Sequence, residues 1–182
     1  RAAHAGAEPQ KGISAIRMAT DFISRLPQGR LDDVTTFNIG TIHGGSGRNT
    51  VPERVTLQGE FRTLDEETAR RLTSQVENAI SEVGALYPEG SVNLNLAREV
   101  DGYRVTGEEP LLVRIKEILH AMGLEPELVT TGGITDGNIM RQHGISALVV
   151  GMAVGDLHTV RESVVISWLL DSARVCERVI KF

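Results

Sequence analysis

A chain of 182 residues with 24% charged side chains and a formal net charge of −5 offers no basic surface of the kind nucleic acid requires, and its longest apolar run, Ile145 to Val150 with Ser146 inside it, is far too short to cross a bilayer. The single cysteine, Cys176, excludes an internal disulfide and the thiol spacing of a structural zinc site, which points to a reducing cytoplasm. The length suits one domain with a good core, or a small domain joined to part of another.

The opening run RAAHAGAEPQKGISAI sets His4 ahead of Pro9 and Gly12 at the entry to a helix. No initiator methionine, charged n-region or apolar h-region precedes it, so the chain is expected to begin inside a working site with sequence missing upstream. Ile13, Ile16, Ala19, Phe22, Ile23 and Leu26 predict a helix over 12–26, stopped by Pro27 and Gly29. Phe37, Ile39, Val55, Leu57 and Phe61 alternate with polar neighbours as two strands do, around the glycine-rich turn Gly44 to Asn49. Thr63 and Glu66 have capping-box spacing ahead of a second helix, marked by Ala69, Leu72, Val76, Ile80 and Val83 and ending near Gly84. Val92, Leu94 and Leu96 predict another strand. One further strand ahead of His4 would complete a ferredoxin-like βαββαβ layer, whose uncovered edge favours self-association.

The polar stretch between Val100 and Pro110 marks a boundary, giving domains over 1–105 and 106–182. Beyond it, Leu111 to Leu119 predicts a helix stopped at Gly123, Leu128 to Thr131 a short strand, and Ile145 to Val150 a buried strand of a mainly parallel sheet. Leu169, Ala173, Cys176 and Ile180 line a final helix capped by Ser167. Two strands make only part of an α/β sheet, so exposed apolar edges and poor solubility are expected beyond residue 105.

Three segments can carry chemistry. His4, at a junction where backbone N–H groups are unsatisfied, could donate to a developing oxyanion, though a lone histidine is ordinarily a turn residue. Asn49 and Arg62 could hold a carboxylate, with the plain alternative of a tight hairpin and a solvated strand charge weighing about evenly. The glycine-rich run Thr131 to Gly137, which includes Gly133, and His158 after a flexible loop fit a ligand site at strand ends, but one imidazole makes no metal site. His43, His120 and His143 read as structural or solvent-facing.

In this order the motifs AHAGAEPQKGISAI, GGSGRNTVP with GEFRT, and TGGITDGNIMRQHGISALVVGMAVGDLHTVRE resemble the M20 metallopeptidases, especially the peptidase T-like aminopeptidases and tripeptidases. The resemblance covers nearly the whole chain. It implies an α+β ferredoxin-like lid, through which the protein would form a homodimer, followed by the C-terminal portion of a zinc-peptidase α/β catalytic domain. It further implies that His158 is the last metal-ligating histidine and His4 the lid histidine that polarises the scissile carbonyl. Asn49 and Arg62 would hold the carboxylate end of a short peptide, Gly133 would offer a main-chain contact, and Asp136 and Glu162 would brace the loops. The family's HxD segment and its acidic segment with the glutamate base lie upstream of the lid and are not in this sequence; Asp65-Glu66-Glu67 opens a helix instead. The implied activity is peptide hydrolysis by a zinc pair in the full-length protein, with this chain inactive alone. The rival readings are a non-enzymatic ferredoxin-like dimerisation or binding module, and an M20 amidohydrolase acting on N-acyl amino acids, carbamoyl compounds or succinylated substrates.

Overall fold

The computed structural model describes residues 1–151 and 153–181, which divide into two compact units, 1–98 and from residue 99 onward. The fold is mixed α+β, with small antiparallel sheets and five α-helices among the described residues.

In the first unit, strand β1 (Ala3–His4) leads through a 3-10 turn at Pro9–Lys11 into helix α1 (Ala15–Ile23). The helix starts later than the apolar spacing implies because Ser14 caps it, its hydroxyl accepting the Arg17 N–H at 3.3 Å. Strands β2 (Gly29–Arg30), β3 (Thr36–Gly44) and β5 (Val55–Arg62) form an antiparallel sheet in the order β2-β3-β5, while β4 (Thr50–Val51) pairs with β1. The β3/β5 ladder runs from Thr36 opposite Arg62 to Gly44 opposite Val55, with an irregularity between Ile39 and Thr41. Helix α2 (Glu66–Leu86) is capped by Asp65, whose carboxylate accepts the Thr68 N–H at 2.7 Å. The capping box expected from Thr63 and Glu66 is therefore displaced, and the Thr63 hydroxyl accepts the Asp65 N–H at 3.1 Å instead.

The core of this unit joins Leu26, Phe37, Leu72, Val76 and Ala79, flanked by Phe22, Ile39, Phe61 and Ile80. Phe37 and Phe61 face each other across the ladder with ring centroids 6.0 Å apart, the cross-strand pairing that fixes register. Strand β1 pairs with Thr50–Val51 outside the main sheet. One strand expectation needs correction here. Val92, Leu94 and Leu96 are exposed and form no strand, because their alternation meets no hydrogen-bonded neighbour.

The second unit contains α3 (Pro110–Ala121), α4 (Asp136–Gln142), the short pair β6 (Val154–Gly155) and β7 (Ser163–Val164), and α5 (Ile166–Ile180). Leu112, Ile115 and Ile118 bury one face of α3, which packs on α5, and Gly123 follows α3 at φ +72, a value glycine adopts without strain. The expected strands at 128–131 and 145–150 are not formed; of the latter run only Ala147 is buried. A buried parallel strand needs neighbours on its edges, and the described residues supply none to these segments. Ser167 lies inside the first turn of α5 rather than capping it, the preceding position being Val165, whose side chain has no hydrogen-bonding group. No helix among the described residues is long and apolar enough to cross a membrane.

Candidate functional site

The β1/β4 clasp brings two sequence-predicted residues together. His4 lies opposite Thr50, and the Ala5 N–H donates to the Asn49 carbonyl at 2.9 Å, so His4 and Asn49 share one end of the unit. A turn closed by Thr50 N–H to Gly47 O at 3.2 Å presents the exposed Asn49.

The His4 ring is oriented by its own main chain. Its Nδ1 accepts from Gly6 N–H at 3.2 Å and Ala7 N–H at 3.1 Å. A nitrogen that accepts cannot carry the proton of a neutral imidazole, so that proton sits on Nε2, which becomes an exposed donor.

Arg62 stands elsewhere, at the last position of β5, opposite Thr36. Along an extended strand the seven steps from Val55 to Arg62 cover roughly 23 Å, so the structure does not bring Arg62 to His4 and Asn49. Its guanidinium is engaged by Glu60, with Nε donating to Oε1 at 2.9 Å and Nη2 to Oε2 at 3.0 Å. The sequence reading overlooked Glu60. The signal was present, since residues two apart on a strand point to the same face.

In the second unit, the Gly133 N–H donates to the Thr131 hydroxyl at 3.1 Å, within a loop that Thr135 and Asn138 close as a capping box at the start of α4. Asn138, buried, also donates from Nδ2 to the Asp101 carbonyl at 3.0 Å, and Asp136 is the exposed first residue of α4. Arg141 underpins this helix in a way the sequence did not disclose. It forks onto Glu109 with Nη2 at 2.5 Å from Oε2, donates from Nε to the Ala147 carbonyl at 2.7 Å, and stacks 4.6 Å from the Tyr103 ring centroid. The hydrogen bond from Arg141, with a second from the Thr106 main chain, holds the Glu109 carboxyl below the usual glutamate range.

His158 sits between β6 and β7 at φ +63, and Asp156 at φ +53; both are left-handed conformations that non-glycine residues rarely hold. The loop is braced locally: Thr159 donates from N–H and hydroxyl to the Asp156 carbonyl, and the Glu162 carboxylate accepts the His158 N–H at 3.0 Å. Glu162 thus acts on the main chain of His158. Among the described residues no group of three or more His, Cys, Asp or Glu side chains could hold a metal ion. The residues present therefore do not make a complete zinc centre. His43, His120 and His143 are exposed.

Residues 1–88 match the family model of the M20 peptidase dimerisation domain. Over 97% of this chain the fold superposes on a tripeptidase from Staphylococcus aureus subsp. aureus mu50, with TM-score 0.82 and 30% identity, covering 47% of that protein. The first unit is a dimerisation domain of the M20 peptidase family. An aminopeptidase PepT from Bacillus cereus ATCC 10987 is similar to the dimerisation domain and the unit that follows it, with 28% identity and TM-score 0.78 over 97% of this chain and 47% of that one. Among curated proteins, the chain is 31% identical to the uncharacterized protein YqjE of Bacillus subtilis (strain 168), over 100% of its own length and 48% of that protein. It is 29% identical to a succinyl-diaminopimelate desuccinylase of Delftia acidovorans, over 88% of this chain and 42% of that one. The chain spans about half the length of the curated relatives it matches.

Proposed function

We propose that the first unit is the lid, and the second the closing part of the catalytic domain, of a zinc-dependent M20 exopeptidase that hydrolyses short peptides. The observation that carries the reading is the His4 ring: two main-chain donors on Nδ1 leave Nε2–H facing outward, the protonation an oxyanion donor needs. Asn49 beside it offers a carboxamide, and Arg62 offers a fork for the peptide's terminal carboxylate.

The separation of these groups supports a shared site. A fully extended tripeptide spans only about 10 Å, so one substrate cannot reach both the clasp and the far end of β5 in a single lid. A homodimer resolves this, with His4 and Asn49 of one protomer closing over the site that Arg62 of the other lines. Zinc, which the resemblance implies, would take His158 as one ligand, with the other ligands and the glutamate base outside these residues. The chain alone is accordingly expected to be inactive.

In the full-length protein, His4→Ala should lower kcat by about a hundredfold or more with little change in KM; an unchanged kcat rejects the oxyanion role. Arg62→Ala should raise KM for tripeptides, and an unaltered KM rejects the carboxylate role. A second reading, hydrolysis of N-acyl amino acids, draws on the desuccinylase relative. Comparing di- and tripeptides with succinylated amino acids as substrates separates the two.

A further inference from the structure

We propose that Glu60 is a resident competitor for the carboxylate site of Arg62, an inference that rests on the carboxylate-binding role given to Arg62 above. Both side chains project from the same face of β5, two residues apart. Across the ladder Glu60 faces Asn38 and Arg62 faces Thr36, neither of them charged. Nε and Nη2 of the guanidinium meet Oε1 and Oε2 of Glu60 at 2.9 and 3.0 Å. That is the two-bond fork an arginine makes with any carboxylate, so Glu60 holds the place and the chemistry that a peptide's terminal carboxylate would take.

Exposure decides what this occupancy does. The Arg62 side chain is 33% exposed and that of Glu60 52%, and ion pairs so open to water are weak and exchange readily. Glu60 therefore yields to an incoming carboxylate rather than blocking it, at a cost of a few-fold in affinity. A ligand with a neutral end has no such bonds to gain and does not compete for the fork. The products of peptide hydrolysis carry carboxylates too, and the same competition hastens their departure.

The test compares trialanine with its C-terminal amide on the full-length protein and on its Glu60→Gln and Arg62→Ala variants, each checked for folding by thermal melting. Affinity is read as KM where the peptide is turned over and as a calorimetric Kd where it is not. Glu60→Gln is isosteric and lies on an exposed strand face, so it removes the charge without disturbing the core. It should tighten trialanine about three- to fivefold and leave the amide unmoved. Unchanged or weakened trialanine binding would overturn the proposal, the second outcome making Glu60 a support for Arg62 instead. If Arg62→Ala leaves the acid-to-amide ratio untouched, the carboxylate role of Arg62 falls and the proposal with it. If that ratio collapses while Glu60→Gln has no effect, only the proposal falls.

Discussion

Replacing Gly12 by alanine should open the clasp that carries His4. A Cβ at this position would lie 2.7 Å from Val51 Cγ1, 2.8 Å from Val51 Cβ and 3.0 Å from Ala3 Cβ, where carbon atoms rest at about 3.5–4.0 Å. Gly12 cannot easily retreat. Its N–H donates to the Pro9 carbonyl at 3.0 Å, and the neighbouring Ile13 N–H to the Arg1 carbonyl at 2.9 Å. The new methyl therefore acts as a wedge between β1 and β4, at a typical overpacking cost of about 1–3 kcal/mol. Because the clasp is small and joins the sheet at few points, the cost falls on local opening rather than on the core. Amide exchange of Ala5, whose N–H donates to the Asn49 carbonyl, should quicken by about 5- to 150-fold, while amides around Leu72 in α2 keep their protection. Val51→Ala in the same chain should restore part of the loss, since it removes the nearer of the two valine contacts and leaves its Cβ. Unchanged exchange at Ala5 would refute the wedge, and equal acceleration at Leu72 would refute the independence of clasp and core.

Leu72 is 1% exposed at the centre of the first unit's core, so Leu72→Ala should cost about 2–5 kcal/mol in urea unfolding; a loss below about 1 kcal/mol would mean that the core collapses around the gap. Asp65, held below its ordinary value of 3.8 by hydrogen bonds from the Thr68 side chain and main chain, and Glu109, held below 4.5 by Arg141, lose protons more readily folded than unfolded. Their stabilisation is thus present above those ordinary values and fades as pH falls through the lower, folded ones. Melting temperature should decline on acidification below roughly pH 4.5, and the Asp65→Asn, Glu109→Gln double variant should decline less steeply; identical slopes would contradict the assignment. Trp168, the sole tryptophan, is 62% exposed on α5. Its fluorescence in this chain should be red-shifted and open to acrylamide, and a buried, unquenched signal in dilute solution would reveal packing or self-association that covers α5.

The parts of the fold legible in the sequence are those where one physical signal dominates. Leu72, Val76 and Val83 recur at helical spacing and are buried in α2, and the alternation at Phe37 and Phe61 foretells a cross-strand pair. The cap of α2 was misplaced by two residues because Thr63 and Asp65 are both competent caps, and the choice depends on where the chain leaves β5, which spacing does not encode. The clasp was invisible for a different reason: two residues per strand carry no periodicity, so the meeting of His4 with Asn49 is a tertiary fact. The apolar runs at 128–131 and 145–150 show the converse. Their composition suits strands, but a strand is a relation between neighbours, and composition cannot supply the partner. For the candidate site, residue types were legible and their grouping was not, since nothing in the order His4, Asn49, Arg62 says that the first two adjoin and the third lies a strand's length away.

That separation has a structural origin which bears on how the lid could work. The clasp end is set by close local contacts among Ala3, Gly12 and Val51, whereas the Arg62 end is held by the ladder and by the Phe37–Phe61 pair one step before it. Between the two runs β5, whose length is fixed by hydrogen bonds to β3 rather than by any loop. A perturbation at the clasp should therefore shift His4 relative to Asn49 and leave Arg62 in place. On the proposed roles, clasp variants such as Gly12→Ala would act on kcat and ladder variants on KM, because the first displace the oxyanion donor and the second the carboxylate fork.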